Sequence, residues 1–340
     1  MASSSDSLSD SSQRETELLQ AITVATPPGM PAIDGQGRPM LPGYQLLGQL
    51  GEGRMSLVWK AQLIGGFRPI AIKVLRPELM DDSAVVRAFM SEGRMLAELE
   101  AENGEHPHIV PVLDAGTFGH HLCILMKFMR HGDLNRYLAE RYPEGRIDEP
   151  LKFLDIAIQV TAGAAYLHDN GIIHRDIKPA NVFVDRHGGR AVFRLGDLGM
   201  AVDTGDEQPA SGTPLYMAPE SFAHQPCTAM SDVYALGVTF FSLLTGHPPF
   251  ESTTLAGLSS LVRTAPVPHA YKLNPAVPKA ISDLVGTCLR KDPSRRMQDA
   301  VALLVALRQC RTDFGTGTFR KPHIDNTEDS TWCGDAISPT

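Results

Sequence analysis

The chain has 340 residues, 43% of them apolar, and a formal net charge of -8 at pH 7. Residues 1–40 carry two Arg against five acidic residues and residues 311–340 three basic against five acidic. The nearly balanced middle offers no basic surface for a phosphate backbone, so nucleic acid is excluded as the expected partner. The longest apolar run, residues 234–244, is broken by Thr239 and Ser242 and falls short of the ~18 residues needed to cross a bilayer, so no membrane span is expected.

The chain starts with MASSSDSLSDSSQ, which has neither the basic nor the apolar region of a secretory signal. Residues 1–40 hold too few large apolar side chains to offset the entropy of ordering, so a disordered Ser-rich acidic arm is expected. Within it, Leu18, Leu19 and Ile22 would share one amphipathic turn. From Tyr44 onward YQLLGQL, SLVWKAQLI and RPIAIKVL read as three strands of an antiparallel sheet. Between the first two lies Leu50-Gly51-Glu52-Gly53-Arg54-Met55-Ser56-Leu57-Val58, where glycines would let backbone N–H groups approach phosphates. An ordinary hairpin turn is the plainer reading of this segment alone, and no GK[ST] follows. Lys73 stands inside the third apolar strand, so its ammonium either snorkels from an edge or meets an anion. The apolar spacing over residues 83–100 predicts a helix, and Glu92 on it could supply that counter-charge.

Near residue 130 strands give way to longer helical segments, which predicts a β-rich lobe over 41–128, an α-rich lobe over 129–310 and a disordered acidic tail over 311–340. The loop His174-Arg175-Asp176-Ile177-Lys178-Pro179-Ala180-Asn181 follows an apolar GII and cannot be regular helix, because of Pro179. Asp176 could take a hydroxyl proton, Lys178 could neutralise a transferring phosphoryl group, and Asn181 could offer its amide oxygen to a metal. Downstream, the carboxylate of Asp197 in Gly196-Asp197-Leu198-Gly199 suits a hard cation such as Mg²⁺. Five scattered cysteines without a CxxC pair fit free thiols in a reducing compartment. His106, His108, His120 and His121 lack a third ligand at zinc-like spacing and read as packing or solvated residues.

In this order the motifs resemble the eukaryotic-type (Hanks-type) Ser/Thr protein kinases, in a bacterial-like form, from Tyr44 to about Arg308. The resemblance implies the bilobal α+β kinase fold and transfer of the γ-phosphoryl of ATP to Ser/Thr hydroxyls of protein substrates. By the same resemblance the loop Leu50 to Val58 covers the ATP phosphates, Lys73 holds them and pairs with Glu92, and Asp176 is the catalytic base. Asn181 and Asp197 would hold two Mg²⁺ ions, or Mn²⁺. The interlobe hinge would run from Leu125 to Met129, with Met126 as gatekeeper and Lys127 and Met129 beside adenine. Asp133 either meets the ribose or simply caps the helix LNRYL. Gly212 to Glu220 matches the substrate-positioning loop, with Thr213 contacting Asp176 and Lys178, Asp232 bracing the catalytic loop, and Arg296 pairing with Glu220. His174 packs beneath that loop.

Three departures from the family pattern are present: Ser56 for the third glycine, Leu198 for the Phe of D-F-G, and a longer hairpin between Asn181 and Asp197. With Lys127 in the hinge, Ser56 and Leu198 raise the alternative of a pseudokinase scaffold that binds nucleotide without turnover. The intact Lys73, Glu92, Asp176, Asn181 and Asp197 oppose it. A small-molecule phosphotransferase is disfavoured by the G-T-P-x-Y-x-A-P-E loop. The resemblance also implies autophosphorylation, with Thr204 and Ser211 as acceptors, Arg175 as their phosphate clamp and transient self-association for reaction in trans. A cytoplasmic enzyme follows if the chain is complete.

Overall fold

Alternating and continuous apolar runs after Tyr44 form strands because each leaves one face to bury. The computed structural model describes residues 31–198 and 212–316, together with 23–25, 27, 29, 202 and 203. It divides into two units, the first holding residues up to Glu105 and Val110–Phe128, the second His106–Ile109 and the chain from Met129.

The first unit is built on a six-stranded sheet of β1 (Thr23–Val24), β2 (Tyr44–Glu52), β3 (Ser56–Leu63), β4 (Pro69–Leu75), β5 (Val112–Phe118) and β6 (His121–Lys127). Their spatial order is β1-β5-β6-β4-β3-β2, antiparallel except for the β1–β5 pair. Leu41, Trp59, Ala61, Ile72, Val74, Phe118, Cys123 and Leu125 close its core. Helix α1 (Ser83–Asn103) starts at Asp82, whose Oδ1 accepts the amides of Ala84 and Val85 at 3.0 and 3.3 Å. It buries Phe89, Glu92, Gly93, Leu96 and Leu99, one face of the expected helix. Gly93 permits the close seating on β5, since a Cβ there would lie 2.6 Å from the Ala115 Cβ.

Part of the arm expected to be disordered has a defined place. His121 Nε2 pairs with the Ala32 carbonyl at 2.6 Å, Asp34 Oδ1 accepts the Gln36 and Arg38 amides, and Thr23 and Val24 pair with β5. Composition undervalued these residues because their partners are backbone and side-chain groups of a distant sheet. Residues 18, 19 and 22 lie outside the described residues.

The second unit contains α2 (Leu134–Arg141), α3 (Pro150–Asp169), β7 (Ile172–Ile173), β8 (Val182–His187), β9 (Arg190–Leu195), β10 (Val202–Asp203), α4 (Pro219–Phe222), α5 (Ala229–Thr245), α6 (Leu255–Thr264), α7 (Ala270–Leu273), α8 (Lys279–Cys288) and α9 (Ala300–Gly315). Helix α5 carries the chain's longest apolar run and is buried from Ser231 to Phe241. It starts with Ser231 Oγ accepting the Thr228 amide at 3.1 Å and stops at Gly246, whose φ of 87° only glycine adopts cheaply. No helix among the described residues is long and apolar enough to cross a membrane. The β8–β9 hairpin turns on Gly188 and Gly189 at φ 56° and 80°, with His187 opposite Arg190. The turn itself has only two residues. Residues 311–315, expected in the tail, complete α9, while Trp332 lies outside the described residues.

Candidate active site

The sheet of the first unit and the loops of the second each carry one set of the sequence-predicted residues. On β4, Lys73 projects from a strand whose residues Ala71 to Leu75 are all buried. Its Nζ lies 2.8 Å from both carboxylate oxygens of Glu92 on α1. The two side chains are 10% and 4% exposed, so the ammonium has the buried counter-charge that its position in an apolar strand requires. Six of the nine glycine-loop residues flank the turn as strand: Leu50, Gly51 and Glu52 end β2, and Ser56, Leu57 and Val58 open β3, leaving Gly53, Arg54 and Met55 at the tip. The Gly53 amide donates to the Ser56 carbonyl at 2.8 Å, which closes the turn, and Ser56 is buried. Arg76, which no motif of the chain singles out, ties the tip down. Its Nε and Nη2 donate to the Gly53 carbonyl at 3.1 and 3.0 Å, and Nη2 also meets the Glu52 carboxylate. Met126 and Lys127 end β6, with Met126 opposite Ala71 of β4 and the Lys127 amide bonded to the Pro111 carbonyl.

In the second unit, order is built outward from Asp232 near the start of α5. Its carboxylate accepts the His174 amide at 2.7 Å, the Arg175 amide at 2.8 Å and pairs with His168 Nε2 at 2.9 Å. Burial alone would raise this carboxyl, but the hydrogen bond and charge of His168, with the charge and amide of His174, hold it below the ordinary value. These bonds fix Arg175 at φ 69°, a left-handed conformation that a non-glycine residue holds only when its surroundings enforce it. His174 is fully buried, and burial pushes its imidazole below the ordinary value. Its Nδ1 accepts the Asp176 amide at 3.3 Å, which leaves Nε2 to donate to the Gly196 carbonyl at 3.3 Å.

Asp176 follows directly. Its Oδ1 accepts the amide and the hydroxyl of Thr213, each at 2.9 Å, and its Oδ2 meets Lys178 Nζ at 2.7 Å and Asn181 Nδ2 at 3.1 Å. Lys178 Nζ also reaches Thr213 Oγ1 at 2.5 Å, and Asn181 Nδ2 donates to the Asp176 carbonyl at 2.8 Å. The Gly196 amide bonds the Asn181 carbonyl at 2.9 Å, placing Asp197 next to this loop, with φ 60° and an exposed side chain, while Leu198 is buried. Asp133 caps α2, its Oδ1 accepting the Arg136 amide at 2.9 Å, and Met129 is buried four residues earlier. Thr204 and Ser211 lie outside the described residues.

The segment after Thr213 is anchored by Glu220. Arg296 Nη1 and Nη2 meet Glu220 Oε1 and Oε2 at 2.7 and 2.8 Å, and Ser231 Oγ donates to Oε1 at 2.8 Å. The histidines set aside as metal ligands are engaged otherwise: His106 stacks on Tyr166 at 4.4 Å, and His108 Nδ1 pairs with the Phe193 carbonyl at 3.0 Å.

A family model described as the protein kinase domain matches residues 44–306. The chain belongs to the protein kinase family. It is 34% identical over 282 residues to the serine/threonine-protein kinase PknA of Corynebacterium glutamicum, an alignment covering 79% of this chain and 56% of that one. It is 31% identical to the serine/threonine-protein kinase PrkC of Bacillus subtilis, over 76% of this chain and 39% of that one. With PkaA of Streptomyces coelicolor the identity is 34%, over 76% and 48%. The chain thus spans about half the length of the curated relatives it matches. Protein kinases as a family use ATP and a divalent cation and act on protein substrates.

Proposed function

We propose that this chain is an Mg·ATP-dependent protein kinase that transfers the γ-phosphoryl of ATP to Ser and Thr hydroxyls of proteins. The observation that carries the reading is the Asp176 carboxylate, held by Lys178, Thr213 and Asn181 on a loop that Asp232 braces. Asp176 orients the acceptor hydroxyl and takes its proton, and Lys178, on the same oxygen, offsets charge on the phosphoryl group in transfer. Lys73, fixed by Glu92, holds the α- and β-phosphates under the loop Leu50 to Val58, and main-chain groups of Lys127 and Met129 read adenine beside Met126. The capping contact of Asp133 favours its structural role over one on the ribose.

Asn181 and Asp197 fit a hard cation by donor type: Nδ2 of Asn181 is engaged by Asp176, which leaves its amide oxygen, and Asp197 adds a carboxylate. Two Mg²⁺ ions, or Mn²⁺, would supply charge neutralisation of the ATP phosphates there. Thr204 and Ser211 are the autophosphorylation acceptors of this reading, reached in trans by transient self-association, with Arg175 as their clamp. The unpaired thiols of Cys123, Cys227, Cys288 and Cys310 support a reducing, cytoplasmic setting. Ser56, Leu198 and Lys127 replace no catalytic group, since Lys73, Glu92, Asp176, Asn181 and Asp197 are all present, and nothing favours a pseudokinase.

Incubation with Mg·ATP and a generic protein substrate, read by mass spectrometry, tests the assignment. Wild type should modify the substrate and its own residues 204 and 211. Asp176→Asn should bind ATP nearly as well but transfer phosphate on the order of 100-fold slower or less. Wild-type-like transfer by that variant would refute the role given to Asp176.

A further inference from the structure

Behind α1, on the first unit, lies a groove of about 390 Å³. Its walls are a stripe of α1 at helical spacing, Met90, Gly93, Ala97 and Ala101, and the strand β5 from Val112 to Gly116. Ala97 and Ala101 are exposed small residues, and Leu113 is 56% exposed although it belongs to an apolar strand. This edge of β5 is paired with β1 only at Thr117 and Phe118. Among the described residues no strand continues that pairing over 112–116.

The parallel register tells which part of the chain arrives there. Thr23 lies beside Thr117 and Val24 beside Phe118, and the Gly119 amide bonds the Val24 carbonyl at 3.1 Å. Thr23, the first residue of β1, therefore lies one position beyond Gly116, which is the end of the groove. The first apolar residues in that direction are Ile22, Leu19 and Leu18, at i, i+3 and i+4 counted backwards, which is one helical face. The segment also brings Arg14, Glu15 and Glu17, and the groove is lined by Arg94, Glu98, Glu100 and Asp114, so Arg14 has carboxylates to meet and Arg94 offers a partner to the acidic residues of the segment. A segment tethered at Thr23 would meet the groove at high effective concentration.

We propose that the arm preceding β1 docks Leu18, Leu19 and Ile22 into the groove between α1 and β5 and so braces α1. The brace acts on the helix that carries Glu92, and only its consequence for catalysis rests on the kinase reading. Docking of this kind uses the common pattern of an amphipathic segment laid in an apolar groove, here supplied in cis.

Hydrogen exchange on the full chain, without nucleotide, tests it. Amides over 90–101 and 112–116 should exchange at least tenfold faster in the triple variant Leu18→Glu, Leu19→Glu, Ile22→Glu, with β3 unchanged as the folding control. Ala101→Arg, which obstructs the groove from the helix side, should release the same amides and those of 18–22, and it decides alone if the arm variant also loosens β3. Unchanged exchange would overturn the docking. Protection that scales with protein concentration would assign the groove to a second copy and overturn it equally. Because no phosphotransfer is read, that failure leaves the kinase assignment standing, and an inactive wild type with the expected exchange pattern would do the reverse.

Discussion

Arg296 uses every N–H of its guanidinium. Two go to Glu220, and the others to the carbonyls of Met230, Lys291 and, through Nε, Arg290. At 0% and 5% exposure the Arg296–Glu220 pair cannot be replaced by water when one partner is removed. Arg296→Leu would leave the buried Glu220 carboxylate with the Ser231 hydroxyl but without its counter-charge, a loss of about 3–5 kcal/mol, and should lower the chemical denaturation midpoint accordingly. A shift equivalent to under ~1 kcal/mol would show that the pair is not buried in solution. The residue types at this site were legible before the structure: Lys73, Glu92, Asp176, Lys178, Asn181, Asp197, Glu220, Asp232 and Arg296 stand in motifs whose chemistry demands charge at fixed positions. Arg76 was not legible, because an Arg after a strand is unremarkable until its fork is seen on the Gly53 carbonyl 23 residues away.

At the level of elements, close backbone approach decides which helices seat where. Gly163 on α3 is the sharpest case, since a Cβ would stand 2.5 Å from the His108 carbonyl oxygen and 3.3 Å from the Leu195 Cβ. Gly163→Ala gains about 1 kcal/mol in helix propensity, but the intruded atom is backbone and cannot rotate away. Overpacking of ~1–3 kcal/mol should match or exceed the gain, so the thermal midpoint should fall or at best stay level, and a rise of several degrees would refute the contact. The strand, helix and loop order was readable from apolar periodicity. The two-residue turn of the β8–β9 hairpin and the pairing of β1 with β5 were not, since register depends on which partner a strand finds.

For the whole molecule, acid is the condition to which the fold is most exposed. Burial pushes His106 down to about 4 and also lowers His108 and His174, so each takes up a proton less readily in the folded chain than in the unfolded one. Below the unfolded value of ~6.5 the unfolded chain binds protons that the fold refuses, so stability falls as pH drops from there towards 4. The depressed carboxyl of Asp232 contributes above its unfolded value of 3.8 and is lost only below it, extending the same trend. His106→Phe preserves a ring on Tyr166 and removes one titration. It should recover about 1–2 kcal/mol at pH 4.5 relative to pH 7.5, after discounting for a half-exposed ring, and an unaltered midpoint-against-pH slope would exclude His106 as a source. The sequence by itself determined the α+β class, the family and the identity of the chemical groups, because periodicity and charged motifs are local properties written along the chain. Only the tertiary structure decided which groups touch, where Thr23 and Val24 join the sheet and which residues of α1 line the groove beside β5, because those depend on distances between residues far apart in sequence.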